Sequence, residues 1–530
     1  MRSFAVRGVV EGFYGAPWSH DDRLDVISFL AERGMNAYVY APKDDAKHRA
    51  KWRVPYKRKK QGRFADLARH SNANGVRFGF AISPGLDIDY DAAADRAALL
   101  GKLTPLRDAG VTWFLLLVDD IPMQPGLGAR HAELGTWLAD ELGEADLTLC
   151  PTEYVGTRPS PYLADLSDGL PSEVDLMWTG PTVCSPTITA DDARAWTNAL
   201  GDRGVLVWDN YPVNDALMTN SLHLGAYAGR DAALADHVRG VLCNPMTQAH
   251  ASKIALATAM DFLLAPDDYE PERSWKRAIA GVGGDRASAL AVLARACADG
   301  PVAEPETLDL ARRVDALEDE LDGPGWTGAV FALKAELSAA KALPEALAGD
   351  DPLAHEVAPW AAAARLEAEA GLAALRLLQA SRPVEGVSDQ GKGRAAGPDP
   401  EPAMHAAFLV LYLWQAARAD ERVVFGPRFA LYTPVVQLRD GAPALDAGLA
   451  VREDGNAIDA LCRLAMRTYD SWRTDDSDAP LRVFVDGEER AVGPDGGFDA
   501  TGAMMLVRQG AGCTRLETNG ALPFSDRRLA

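Results

Sequence analysis

The chain reads as an α/β protein of the TIM (β/α)8 barrel type, followed by a helical bundle and a small β-rich C-terminal region. Over the first 265 residues, short apolar runs and amphipathic stretches alternate in a regular beat. From about Trp275 the composition turns Ala/Leu/Glu/Arg-rich, with apolar residues at helical spacing. Near the end, short alternating segments flank the turn pairs Asp486-Gly487 and Asp495-Gly496.

The strands are expected at Ala5–Val10, Ala37–Ala41, Arg77–Ile82, Trp113–Val118, Leu147–Cys150, Leu176–Trp178, Val205–Trp208 and Gly240–Cys243. Helical stretches such as Asp21–Arg33, Phe64–Asn72, Ala92–Asp108, Ala129–Leu142 and Asp191–Leu200 separate them. Apolar runs without alternation, spaced by helices, belong to a parallel sheet covered on its outer side. Eight such units in about 265 residues match a barrel in count and length. A doubly wound sheet usually opens with Gly-x-Gly-x-x-Gly after its first strand; here Glu11-Gly12-Phe13-Tyr14-Gly15 stands in that place. The bundle is expected over 266–382, with helices at Ala287–Cys297, Glu306–Leu321, Val330–Leu343 and Trp360–Leu378. Residues 383–402, rich in Gly, Pro and charge, read as a linker or loop. The stretch 403–530 then holds an apolar helix, Met404–Ala417, and strands at Leu481–Val485, Arg490–Val492 and Met504–Val507.

Composition narrows the function classes. With 54 Lys+Arg against 76 Asp+Glu the formal net charge is −22. Such a surface repels phosphate backbones and anionic lipid, so neither nucleic acid nor membrane is expected as a partner. The six cysteines are scattered without a Cys-x-x-Cys pair, which fits free thiols in a reducing compartment. The opening residues run straight into a strand, and no run of roughly 18 apolar residues occurs, so neither a signal peptide nor a membrane span is expected. The expected location is the cytoplasm. No His or Cys group has metal-ligand spacing, and no metal or cofactor is expected.

In a barrel, working residues project from the C-terminal strand ends. Here nearly every such end carries a polar or ionisable group, as at Pro42-Lys43-Asp44-Asp45, Asp119-Asp120, Thr152-Glu153-Tyr154, Asp209-Asn210-Tyr211 and Asn244-Pro245. Together they describe a rim for a polyhydroxylated ligand. Asp119-Asp120 follows the apolar run Trp113–Val118. Neighbours on a strand face opposite ways, so both reach one ligand only if the chain leaves β geometry between them. Two carboxylates so close do not both ionise cheaply, which suits a general acid beside an anionic stabiliser. An Asp-Asp pair also serves as a helix cap or a solvated loop.

Arg7–Trp18 (Arg-Gly-Val-Val-Glu-Gly-Phe-Tyr-Gly-Ala-Pro-Trp) resembles the opening signature of glycoside hydrolase family 84. So do Asn36–Asp45, His48-Arg49 with Trp52-Arg53, Ala81–Gly85, Val118–Ile121, Cys150–Tyr154, Trp178–Pro181 and Trp208–Asp215, all in the family's order. That family contains the protein O-GlcNAcases and bacterial relatives. The resemblance covers roughly residues 4–265; Arg53-Val54-Pro55-Tyr56 departs from it, since relatives often carry Glu before the Pro.

The resemblance implies a retaining exo-β-N-acetylglucosaminidase acting on a GlcNAc-containing glycoside or glycoprotein by substrate-assisted catalysis. By it, Asp119 accepts the N–H of the sugar's 2-acetamido group, while Asp120 protonates the leaving oxygen and later activates water. Lys43 and Asp215 grip hydroxyls, and Gly12 lets the backbone approach the ring. Tyr154 and Trp208 wall the acetamide pocket, and Asn210 and Asn244 offer paired donors and acceptors. Plainer roles compete: Lys43 pairing with Asp44 or Asp45, Gly12 as a strand-end glycine, the aromatics as core, the asparagines as turn residues. Cys150 reads as a buried thiol, and Lys57-Arg58-Lys59-Lys60 as a solvated loop face. A non-catalytic GlcNAc-binding protein and an endo-acting hyaluronidase are the alternatives; the paired aspartates weigh against the first and the net charge against the second.

Overall fold

A computed structural model describes residues 2–201, 203–298, 309–381, 400–426 and 455–473, with short strands between Phe429 and Val507. Its first eight strands close into an all-parallel barrel: β1 (Val6–Glu11), β2 (Ala37–Tyr40), β3 (Arg77–Ile82), β4 (Trp113–Leu117), β5 (Asp146–Cys150), β6 (Asp175–Trp178), β7 (Val205–Asp209) and β8 (Gly240–Cys243). Closure comes from β1, which pairs with β2 (Val9 opposite Tyr38) and with β8 (Gly8 opposite Leu242).

The strands read as unbroken apolar runs because both faces are buried. One set of alternate residues, including Val10, Val39, Leu115, Met177, Leu206 and Leu242, packs with itself inside the barrel. The other set, including Val9, Tyr38, Leu116, Trp178 and Val241, packs outward against the helices. Burying each such side chain contributes roughly 1.5–3 kcal/mol. The covering helices are α1 (His20–Glu32), α2 (Arg58–Ala73), α3 (Ala93–Asp108), α4 (Leu127–Leu142), α5 (Pro161–Gly169), α6 (Ala190–Ala199) and α7 (Ala249–Leu264). Between β7 and β8 the chain makes two 3-10 turns, Ala216–Met218 and Ala232–Asp236, in place of a helix.

The basic run is not the solvated loop face expected of it. Lys57 is the N-cap of α2, and Arg58, Lys59 and Lys60 form its first turn. Lys, Arg and Gln are good helix formers, so the helix starts before its first buried apolar residue, Phe64.

The chain forms two compact units. The first comprises residues 1–307, 349–357 and 429–451. In it α8 (Pro271–Gly283) and α9 (Ala287–Ala296) follow the barrel, and the Trp275 indole of α8 donates to the Leu224 carbonyl at 2.6 Å. The second comprises residues 308–348, 358–428 and 452–530. It is built on α10 (Asp309–Asp319), α11 (Trp326–Lys341), α12 (Leu343–Ala346), the greater part of α13 (Pro352–Ala380), α14 (Pro400–Arg418) and α15 (Ala457–Arg473). A barrel followed by an α-helical region is thus the architecture.

The first residues of α13 belong to the barrel unit, where Glu356 accepts the backbone N–H groups of His250 and Ala251 at 2.9 and 2.8 Å. This carboxylate caps α7, whose own N-cap Gln248 makes no side-chain cap bond. Helix α15 is an addition to the sequence reading. Asn456 and Asp459 cap it reciprocally, each side chain accepting the other's backbone N–H (2.8 and 2.9 Å), and the Trp414 indole donates to Asp459.

Short antiparallel pairings join β9 (Val435–Arg439) to β10 (Ala442–Asp446) and β11 (Arg482–Val485) to β12 (Glu488–Arg490) and β13 (Met504–Val507). A separate β-rich region goes beyond these pairings. The turn pairs Asp486-Gly487 and Asp495-Gly496 lie outside the described residues. Among the described residues no helix is long and apolar enough to cross a membrane.

Candidate active site

The C-terminal ends of the barrel strands bring together the nine residues singled out above. Gly12 follows β1, Lys43 follows β2, Asp119 and Asp120 follow β4, and Tyr154 follows β5. Trp208 lies on β7, Asn210 and Asp215 follow it, and Asn244 follows β8. On one side the Gly12 amide donates to Asn244 Oδ1 at 3.1 Å. Asn244 Nδ2 and the Trp208 indole both donate to Asn210 Oδ1, at 2.9 and 3.0 Å. A Cβ on Gly12 would come within 2.1 Å of the Trp208 ring, so any other residue there displaces the indole.

Lys43 joins that side to the carboxylates. Its ammonium lies 5.6 Å from the centre of the Trp208 ring, bonds Asp119 Oδ2, and sits 3.9 Å from Asp120 Oδ2. Its neighbours in sequence are engaged elsewhere: Asp44 accepts the Gly15 amide, and Asp45 accepts the Tyr40 and Tyr56 phenols.

The two aspartates share one site because the backbone leaves β geometry between them. Asp120 adopts φ of +52°, the left-handed conformation, and so turns its side chain toward the same space as Asp119. They are not equivalent. The Asp119 side chain is 7% exposed and that of Asp120 25%. Asp119 Oδ1 is buried and has no hydrogen-bond partner among the described residues. Both oxygens of Asp120 accept phenols, Oδ2 from Tyr14 at 2.7 Å and Oδ1 from Tyr154 at 2.9 Å.

Electrostatics divide the pair. Burial pushes Asp119 above the usual carboxylate range, although Lys43 opposes the shift. Burial would raise Asp120 too, but Lys43, the two phenols and Arg49 outweigh it and hold Asp120 low. The Tyr14 phenol is pushed up to about 12, by burial and then by Asp120, so it stays a donor. Asp215 accepts the Tyr14 amide at 2.8 Å; burial raises its pKa against that bond.

Two members of the network had no assigned role in the sequence reading. Tyr14 and Arg49 were visible only as parts of motifs. Arg49 donates to the Tyr14 hydroxyl and, at 3.2 Å, to the Asp120 carbonyl, so it fixes both the phenol and the backbone beneath the carboxylate. Cys150 is a buried free thiol at the end of β5. Among the described residues no group of three or more His, Cys, Asp or Glu is placed to hold a metal ion.

A family model described as beta-N-acetylglucosaminidase matches residues 7–295. Over 267 residues the chain is 34% identical to the protein O-GlcNAcases of Rattus norvegicus and Mus musculus. The aligned part is 47% of this chain and 29% of each of those proteins, so the chain spans less than a third of their length. Among solved structures, a mutant of the Thermobaculum terrenum O-GlcNAc hydrolase superposes with a TM-score of 0.74 at 27% identity, covering 88% of this chain and 95% of that one. A second, CpGH84B, superposes with a TM-score of 0.71 at 30% identity, covering 80% and 75%.

Proposed function

The chain belongs to the beta-N-acetylglucosaminidase family, glycoside hydrolase family 84, and from that membership we propose that it is a retaining exo-β-N-acetylglucosaminidase. Its substrate is terminal β-linked GlcNAc, in particular O-GlcNAc on proteins, and the substrate's own acetamide is the nucleophile. The observation that carries this reading is the unpartnered, buried Asp119 Oδ1 beside a more exposed Asp120. A buried carboxylate oxygen without a donor costs free energy that a ligand N–H recovers.

On this reading the acetamide N–H donates to Asp119, which turns the carbonyl oxygen toward C1. That oxygen attacks C1 as the glycosidic C–O bond breaks and Asp119 takes the N–H proton, giving an oxazoline; the proton returns to the nitrogen when the ring reopens. Asp120 delivers its proton to the departing oxygen. In the second step Asp120 takes a proton from water, whose oxygen attacks C1 and reopens the ring with the β configuration restored. The two phenols favour the carboxylate form of Asp120 that the second step needs. The first step needs it protonated, and a bound sugar that shields it from water raises its proton affinity. With the reading go a reducing, cytoplasmic setting for the thiols and a small β-rich region after the helices.

The test is hydrolysis of an aryl β-GlcNAc with NMR of the first-formed sugar. The expected product is the β anomer, and rates fall steeply as fluorine replaces the N-acetyl hydrogens. An α product, or a sugar trapped covalently on a side chain, overturns the mechanism; absence of turnover with retained GlcNAc binding favours a binding protein.

A further inference from the structure

Lys57 and Lys60 of the basic run line a cavity of about 670 Å3 beside the loops that follow β1 and β2. Its lining includes the aromatic rings of Trp18, Tyr40 and Tyr56 and the cations Arg23, Lys47, Lys57, Lys60 and Arg63. That volume is in the range of ligand sites, about 300–1,000 Å3. Five cations around one cavity stand out in a chain of net charge −22.

The groups there are unequally committed. Arg23 is paired with Glu11 inside the protein, and Lys47 donates to the Pro55 carbonyl at 2.6 Å. Of the three aspartates, Asp45 accepts two phenols, Asp44 accepts the Gly15 amide, and Asp21 sits in the first turn of α1, which favours negative charge. The side chains of Lys57, Lys60 and Arg63 make no hydrogen bond or ion pair with any described residue. Lys60 is partly buried, its ammonium 5.1 Å from the ring centres of Tyr40 and Phe64. Burial and Arg23 hold its pKa below the ordinary lysine value, against the opposing pull of Asp45 and Glu11. The first turn of α2 adds to the demand for negative charge: it holds no acid and has no side-chain cap.

The cavity also lies beside the catalytic network. The segment that carries Tyr14, bonded to Asp120, continues into Pro17 and Trp18 of the cavity wall. Three residues span at most about 10 Å of extended chain. The Gly15 amide, next to Tyr14, donates to Asp44 of the cavity lining, and Lys43, next to Asp44, bonds Asp119, so a few residues of extended polypeptide would span from a sugar held at Asp120 to the cavity. The proposal rests on the glycosidase reading above. We infer that this cavity is an aglycone subsite for an anionic group, a carboxylate or phosphate carried by a polypeptide substrate near its O-GlcNAc residue.

The test uses the full chain and synthetic GlcNAc-serine peptides flanked on either side by glutamate, phosphoserine or glutamine. The expected result is a KM about tenfold lower for an acidic peptide than for its glutamine counterpart, a difference that rising salt removes. The Lys57→Gln/Lys60→Gln/Arg63→Gln variant is expected to lose that preference and to turn over aryl β-GlcNAc as the parent does. The glutamate and phosphoserine arms tell the two anions apart. Equal KM values for acidic and neutral peptides, or a preference that survives the triple variant, overturn the proposal. If the variant loses aryl turnover through misfolding, the exposed single change Lys57→Glu gives the same reading of the preference. Fluorescence anisotropy of an unglycosylated acidic peptide decides the anion site apart from catalysis: weaker binding to the variant supports it even if no glycoside is hydrolysed, and unchanged binding refutes it.

Discussion

Asp120 holds a left-handed backbone conformation, φ +52°, which costs an L-residue about 1 kcal/mol or more. The cost is tolerated where it turns a carboxylate into line with its neighbour. Asparagine adopts this conformation readily, so Asp120→Asn keeps the backbone while it removes the ionisable proton, the charge beside Lys43 and one of the two acceptors of the phenols. Turnover of substrates with basic leaving oxygens is expected to fall about 10²–10⁴-fold, and far less on activated aryl glycosides. Equal losses on both, measured as kcat/KM across a leaving-group series, would remove Asp120 from the acid role. Tyr14 supplies one of the donors that hold Asp120 as a carboxylate. Tyr14→Phe is expected to raise the proton affinity of Asp120, so the protonated acid persists to higher pH. The alkaline limb of kcat/KM then moves upward, and an unmoved limb would show that the phenol does not tune the acid.

Among the elements, the end of β1 is tied down by a buried carboxylate. Glu11 accepts from Nε and Nη2 of Arg23 at 2.7 Å, from the Tyr38 phenol, and from the Trp18 amide at 3.1 Å, so one residue joins β1, α1 and β2 just below Gly12. Arg23→Ala leaves that charge buried without its partner, and a loss of about 3–5 kcal/mol in denaturant unfolding is expected. A loss below about 1 kcal/mol would mean that water reaches Glu11. The strands were legible in the sequence because burial on both faces writes unbroken apolar runs. The polar strand ends were legible because each sits directly after such a run. The first turn of α2 lies outside the apolar pattern, since a Lys/Arg turn carries no apolar period. Helix α15 escaped notice although Ile458, Leu461, Cys462 and Ala465 recur at helical spacing and are buried. The meeting of Arg49, Tyr14 and Asp120 depends on one φ angle and on loops from different strands, and no local pattern encodes it.

For the molecule as a whole, three buried histidines set a limit on acid. His48 and His131 are held at about 3, and His223 at about 4, by burial. In the unfolded chain a histidine titrates near pH 6.5. Their folded values are depressed, so on acidification the unfolded chain takes up the protons first. Stability is then lost from pH 6.5 downward until the folded values are reached. Between pH 7 and 5.5 the three together are expected to cost about 3–4 kcal/mol, read from urea midpoints; a flat profile would mean that these rings are not held neutral. The order of synthesis matters as well. Glu356, the cap of α7, follows His250 by 106 residues. At about 5–20 residues per second, a ribosome finishes the last barrel helix some 5–20 s before it makes that cap. During this interval the first turn of α7 has its backbone N–H groups open to solvent and chaperones, so the nascent barrel becomes complete only when a segment from far beyond its last strand has left the tunnel.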